Sequence, residues 1–349
     1  MNVTVHQRPG VYSAYDASSV VSGSGAGKQV GLVAVNAKAA ANEVKIVTSY
    51  DGAVNAFGQG TMAELVRLAL KNGAGAVAAV PIAGGEGYAD GFAALEGLED
   101  ITAVICDSTD GDVQKAMKQS VETASANRRE RIAVAAGGAG ETVDQLIARA
   151  KALNHERVVL VAPGGVNQNG EAADGLGVAA AVAGAIAGES DPAVPLGGAV
   201  LTGLYGLSGR YSDGEMDRLI LGGVTPVESL AGTIGVVRGV TTRTTTGEAA
   251  DATWRDLTTI RIVDDVIPTV RDALRARFRR AKNTEQSRGA IRSQVVLELE
   301  NKKAREIITG YENVTVTADN QDPARCLVDF SFTVAHGLNQ IWLTAHITV

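Results

Sequence analysis

Residues 101–164 read ITAVICDSTDGDVQKAMKQSVETASANRRERIAVAAGGAGETVDQLIARAKALNHERVVLVAPG. Three short runs in this stretch, ITAVICD (101–107), RIAVAAG (131–137) and RVVLVAPG (157–164), are apolar at nearly every position. Between them, DVQKAMKQSVETASANR (112–128) and ETVDQLIARAKALN (141–154) place apolar residues at helical spacing with polar residues between. A strand that is apolar on both faces has to be covered on both faces. Short all-apolar strands separated by amphipathic helices therefore give a mostly parallel sheet with helices on either side.

Upstream, the pattern is the same. VGLVAV (30–35) and GAVAAVPI (75–82) read as buried strands, and DGAVNAFG (51–58), TMAELVRLALKNG (61–73) and YADGFAALEGLED (88–100) as helices. Gly73 is the expected C-terminal cap of the second of these. Downstream, the texture changes near Thr233. TIGVVRGVTTRTTT (233–246) is β-rich, WRDLTTIRIVDDVIPTVRDALRARFRRAK (254–282) and IRSQVVLELENKKARE (291–306) follow with one helix expected in each, and YENVTVTADN (311–320) and RCLVDFSFTV (325–334) are strands. These make an α+β unit.

Both ends of the chain alternate apolar and polar residues. NVTVH (2–6) does so before RPG (8–10), and in HGLNQIWLTAHITV (336–349) Ile341, Leu343, Ala345, Ile347 and Val349 share one side of an extended strand. Such strands need partners on their edges and a cover for their apolar face. ASSVVSGSGAGK (17–28) has linker composition, and as a flexible coil it averages roughly 20 Å end to end. The expected organisation is an N-terminal arm (1–16), a flexible linker (17–28), an α/β domain (29–246), an α+β domain (247–335) and a C-terminal arm (336–349).

Composition is that of a folded protein, with 45% apolar and 20% charged residues over 349 positions. A net charge of −7 argues against nonspecific nucleic-acid binding as the main activity. Cys106 and Cys326 lie far apart in apparent strands and read as buried thiols of a reducing compartment. No signal peptide precedes Asn2, and the longest apolar run, GLGVAAAVAGAIAG (175–188), is too short and too rich in Ala and Gly to span a bilayer. The expectation is a soluble product of the cytosol.

Motifs for chemistry are missing. SGSGAGKQ (22–29) has Ser22 where a P-loop needs its first Gly and Gln29 where it needs a hydroxyl residue, and it precedes its strand. Gly73-Gly75-Ala78 lies between helix and strand, the wrong order for a dinucleotide turn. Gly175-Gly177-Ala180 opens a helix but stands a dozen residues from the preceding strand. Gly206-Leu207-Ser208 is followed by Gly209 and Arg210, which misplaces the second Gly of a nucleophile elbow. His6, His155, His336 and His346 include no pair at metal-ligand spacing. Asp264 and Asp265 read most simply as an acidic pair preceding a helix that starts near Pro268. The stretch 269–282 carries an apolar stripe, Val270, Leu274 and Phe278, and a cationic ridge, Arg271, Arg275, Arg279 and Lys282, suited to an acidic partner.

VAGAIAG (182–188), GLSGRYSDGEMDRLILGGVTPVES (206–229), VVRGVTTRT (236–244), WRDLTTIRIVDDV (254–266), LRARFRRAKN (274–283) and LNQIWLTAHITV (338–349), together with RPGVY (8–12), resemble the contractile tail sheath proteins of bacteriophages and phage-tail-like particles such as R-type bacteriocins. The resemblance implies a subtilisin-like α/β domain without a catalytic triad and without a cofactor. It implies arms that add strands to sheets of neighbouring subunits, here through Val3, Val5, Ile341, Leu343, Ala345, Ile347 and Val349. It further implies stacked hexameric rings in a helical homo-oligomer around an inner tail tube, contraction that drives the tube through a target envelope, and contact with baseplate and terminator proteins. No nucleic acid and no membrane insertion are expected, and assembly takes place in the bacterial host cytoplasm. A helix of the C-terminal domain contacts the tube in such sheaths, which assigns that role to the basic ridge. The rival reading is a small-molecule or nucleotide-binding enzyme on a doubly wound sheet, with PGGVNQNGEAADG (163–175) as its site.

Overall fold

A computed structural model of the chain describes residues 29–339. Eight strands form the central sheet: β1 (Gln29–Val35), β2 (Lys45–Val47), β3 (Ala76–Ile82), β4 (Ile101–Cys106), β5 (Ile132–Ala136), β6 (Val158–Ala162), β7 (Val224–Leu230) and β8 (Thr233–Val236). Their spatial order is β2-β3-β1-β4-β5-β6-β7-β8. The six inner strands run parallel, and the two edge strands β2 and β8 are antiparallel to their neighbours.

Alternation along each strand divides the core into two layers. On one face, Val30 and Leu32 of β1 and Val77 and Ala79 of β3 pack under α1 (Tyr50–Phe57), α2 (Thr61–Lys71) and α6 (Leu176–Gly188). On the other, Val33 of β1 and Ala78, Val80 and Ile82 of β3 pack under α3 (Tyr88–Glu96), α4 (Gly111–Ala126), α5 (Val143–Leu153) and α7 (Asp213–Leu221). Helix starts are written locally. Thr142 with Gln145 and Ser212 with Glu215 form complete capping boxes on α5 and α7, and Asp110 accepts from the Asp112 and Val113 amides to open α4.

The Ala- and Gly-rich helix α6 is buried on nearly every side, because small residues let it lie against α2. A Cβ on Gly184 would stand 2.3 Å from the Ala69 carbonyl oxygen, and one on Gly188 would stand 2.7 Å from the Gly73 Cα. Among the described residues no helix is long and apolar enough to cross a membrane. Cys106 is buried, and burial pushes its thiol up to about 12, while Cys326 is half-buried; both are free.

A short ribbon, β9 (Thr245–Thr246) with β10 (Ala249–Ala250), leads to α8 (Leu257–Phe278). This helix begins eleven residues before Pro268, so Asp264 and Asp265 lie inside it and not ahead of its start. Proline costs the helix one amide bond, but packing on both sides of the interruption outweighs that loss. Trp254, Leu257, Ile260 and Val263 insert into the sheet's core, whereas Ile262, Val266, Ile267, Val270 and Leu274 enter a separate core. That second core is completed by Val295 and Leu299 of α9 (Glu285–Ala304) and by the hairpin β11 (Ile308–Ala318) and β12 (Cys326–Val334). One helix is therefore shared by an α/β body and a C-terminal α+β part.

Candidate assembly site

Strands β11 and β12 pair antiparallel, and among the described residues no other strand joins them. Along β12, Val328, Phe330, Phe332 and Val334 turn onto the C-terminal core, and Leu327, Asp329, Ser331 and Thr333 face outward. A two-stranded sheet is marginal by itself, and its outer edges are templates for further strands. After β12 the Ala335 amide donates to the Ile307 carbonyl at 3.2 Å, and the chain then passes so close to Pro195 that a Cβ on Gly337 would come within 2.8 Å of the proline ring. Leu338 is 76% exposed there. The expected arm positions Val3, Val5, Ile341, Leu343, Ala345, Ile347 and Val349, and the 17–28 linker, lie outside the described residues.

The basic ridge does not stand as one surface. Arg271 is buried, and its Nη1 donates to Glu130 Oε1 at 3.3 Å, joining α8 to the segment before β5. Arg275 and Arg279 are exposed. Helix α8 ends at Phe278, however, with Arg279 as its C-cap, and Lys282 falls in the connection to α9. Helical spacing carried past the Arg279 cap aligned Lys282, which the backbone does not align. What remains exposed is a cluster at the α8–α9 turn: Arg275, Arg279, Arg280 and Lys282, with Arg277 held by Gln294 and Arg288 donating to Asn283 Oδ1 at 3.0 Å.

A charged layer at the N-terminal ends of β5 and β6 fastens α8 to the sheet. Arg157 forms a two-pronged pair with Asp264, Nη1 to Oδ2 at 2.6 Å and Nη2 to Oδ1 at 2.8 Å, with only 4% of the Arg157 side chain exposed. Lys302 of α9 pairs with Asp265, and Arg243 donates to Glu156 at 2.7 Å. Burial raises the Asp264 carboxyl above its ordinary range despite Arg157 beside it, and burial does the same to Glu130 against the pull of Arg271. Arg131, almost fully buried, is held by the carbonyls of Leu95, Leu98 and Arg129, and burial lowers its guanidinium to about 10. His155, Glu156 and Arg157 were not singled out by sequence pattern. The one available signal was a run of four polar residues, Asn154 to Arg157, set directly against a fully apolar strand.

At the carboxyl ends of the strands, where doubly wound sheets bind ligands, the crevice between β1 and β4 is bridged by Asp107. Asp107 accepts from the Val35 amide at 2.9 Å and from the Tyr88 hydroxyl at 2.7 Å. The 163–175 loop folds on itself through bonds from the Gly165 amide to the Asp174 carbonyl and from the Ala173 amide to the Gly165 carbonyl, and the Ser208 hydroxyl donates to the Gly164 carbonyl. A Cβ on Gly164 would meet the Ala173 carbonyl at 2.3 Å, so the two limbs of this loop lie in backbone contact. Among the described residues no group of three His, Cys, Asp or Glu side chains could hold a metal ion.

Two family models match the chain: the phage tail sheath protein central domain over residues 82–242 and the phage tail sheath C-terminal domain over residues 249–348. By sequence, no curated protein matches. Among solved structures, the helical sheath of the anti-feeding prophage in its contracted state is similar over 98% of this chain and 99% of its own, at 17% identity and a TM-score of 0.73. The sheath complex of an extracellular contractile injection system, also contracted, is similar over 99% of both chains at 17% identity and a TM-score of 0.71. The sheath tail protein of Desulfitobacterium hafniense is similar over 93% of this chain and all of its own, at 12% identity and a TM-score of 0.70. At these identities the likeness is one of fold.

Proposed function

The chain belongs to the phage tail sheath family, and from that premise we propose that it polymerises as stacked hexameric rings around an inner tube and contracts to drive the tube through a target envelope. The observation that carries this reading is the two-stranded sheet of β11 and β12, with no further strand on either edge among the described residues. The alternating terminal segments supply strands of the right kind: main-chain bonds give attachment and the apolar positions give register. Each fully buried Ile, Leu or Val contributes on the order of 1.5–3 kcal/mol, so the five apolar positions from Ile341 to Val349 suffice to keep neighbours joined through a large rearrangement.

In this reading the exposed cations at the α8–α9 turn, Arg275, Arg279 and Lys282, face the tube, and Arg271 positions the helix from within. The α/β body is a subtilisin-like fold put to structural use. Assembly in the host cytoplasm stores the energy of contraction, and baseplate and terminator proteins cap the ends. No nucleotide is consumed.

Negative-stain electron microscopy of the purified full-length chain beside a 1–337 truncation tests the proposal. Tubes from the first and dispersed particles from the second are expected. Tubes from both overturn the strand-exchange role of the C-terminal arm, and dispersed particles from both overturn polymerisation as the function.

A further inference from the structure

We propose that His155 is an acid-sensitive latch on the joint between the sheet and α8, closed when the imidazole is neutral and opened when it takes a second proton. The residue lies in the turn between α5 and β6, with 14% of its side chain exposed. Its Nδ1 accepts the Arg157 amide proton at 3.0 Å, and its Nε2 stands 3.0 Å from Glu122 Oε1. The tautomer is thereby fixed, with the proton on Nε2 and a lone pair on Nδ1. Thr242 holds the backbone on the third side, its hydroxyl accepting from the His155 amide and donating to the His155 carbonyl.

A proton on Nδ1 would set two donors face to face at 3.0 Å, because the Arg157 amide cannot become an acceptor. The displaced residue is the one whose guanidinium grips Asp264 of α8. The charged groups around the ring do not all pull one way. Glu122, shared with Lys118 of α4 at 3.7 Å, and Glu156, 3.9 Å from Nε2 and engaged by Arg243, favour the imidazolium. Lys118 and Arg157 oppose it, and Asp264, Glu130 and Arg271 form the next layer. Burial outweighs the two carboxylates and holds the ring below its ordinary 6.5. The folded chain therefore binds this proton less readily than the unfolded chain. Its contribution to stability is complete above the unfolded value and is lost as pH falls below it.

The test is amide hydrogen exchange of the full-length chain at about pH 7.5 and 5.5, a window in which histidine titrates, with rates corrected for intrinsic pH dependence. Peptides covering the 257–266 stretch of α8 should exchange several-fold faster at the lower pH. In His155→Asn the side-chain oxygen accepts the amide two residues on, as in an Asx turn, at any pH, and the acid effect should vanish. An equal acid effect in His155→Asn assigns the transition to Asp264 or Glu130 and overturns the proposal, as does unchanged exchange in the parent chain. Exchange of the His155 ring carbon-2 hydrogen, read by mass spectrometry on the unaltered chain, tests the same point without a variant: a titration midpoint at or above the ordinary imidazole value overturns it.

Discussion

The contact between α2 and α6 predicts that one substitution made twice on one helix has opposite consequences. In Gly184→Ala the new Cβ would lie 2.3 Å from the Ala69 carbonyl oxygen and 3.0 Å from both the Ala69 carbonyl carbon and the Asn72 Cβ. Carbon atoms pack comfortably at 3.5–4.0 Å, so α6 has to recede by about 1 Å from backbone that cannot rotate aside. Overpacking of this kind costs about 1–3 kcal/mol, against a helix-propensity gain from Gly to Ala of about 1 kcal/mol. Steric cost wins over most of that range, and a net loss of up to about 2 kcal/mol is expected. In Gly177→Ala the nearest atom is the Leu68 Cδ1 at 3.3 Å, the far end of a side chain that can turn away. There the propensity term wins, and the variant is as stable as the parent or a few tenths of a kcal/mol more so. Urea unfolding followed by circular dichroism reads both as midpoint shifts at unchanged slope. Equal shifts of the same sign would refute the reasoning, because they would mean that backbone proximity is not what the glycines serve.

Two further predictions concern α8. Arg157→Met or Asp264→Leu alone should cost about 3–5 kcal/mol, since each strands a buried charge, while the double substitution should recover most of that loss; urea midpoints of the three variants show whether the costs instead simply add. Charge reversal at Arg275 and Arg279 should abolish cosedimentation with the tube at low salt while sparing self-association of the sheath, and unaltered cosedimentation would remove these residues from the tube-facing role.

The parallel sheet was legible because its signal is local: runs such as RIAVAAG and RVVLVAPG have no polar face to expose, and β5 and β6 fall within them. Less legible were β2, only three residues long, and the β7–β8 hairpin, whose edge position depends on partners distant in sequence. The extent of α8 was misread at Pro268, a residue that favours helix starts but is tolerated inside when tertiary contacts exceed the lost bond. The candidate site fared similarly. Exposure of Arg275 follows from helical phase, but the burial of Arg271 is decided by Glu130, 141 positions away, and no periodicity reports that. His155 drew attention only as one of four histidines; its importance comes from Thr242 and Glu122, which folding brings to it.

Because α8 is tied beneath the sheet at Asp264 and again at Arg271 and runs on to Phe278, its last stretch extends about 10 Å past the second tie at a rise of 1.5 Å per residue. A tilt of about 10° at that tie moves the cationic end by roughly 2 Å, more than half the length of a hydrogen bond. Angular error at the sheet is thus magnified into positional error at the tip. Substitutions under the sheet, far from any surface, can thereby misalign a contact they never touch.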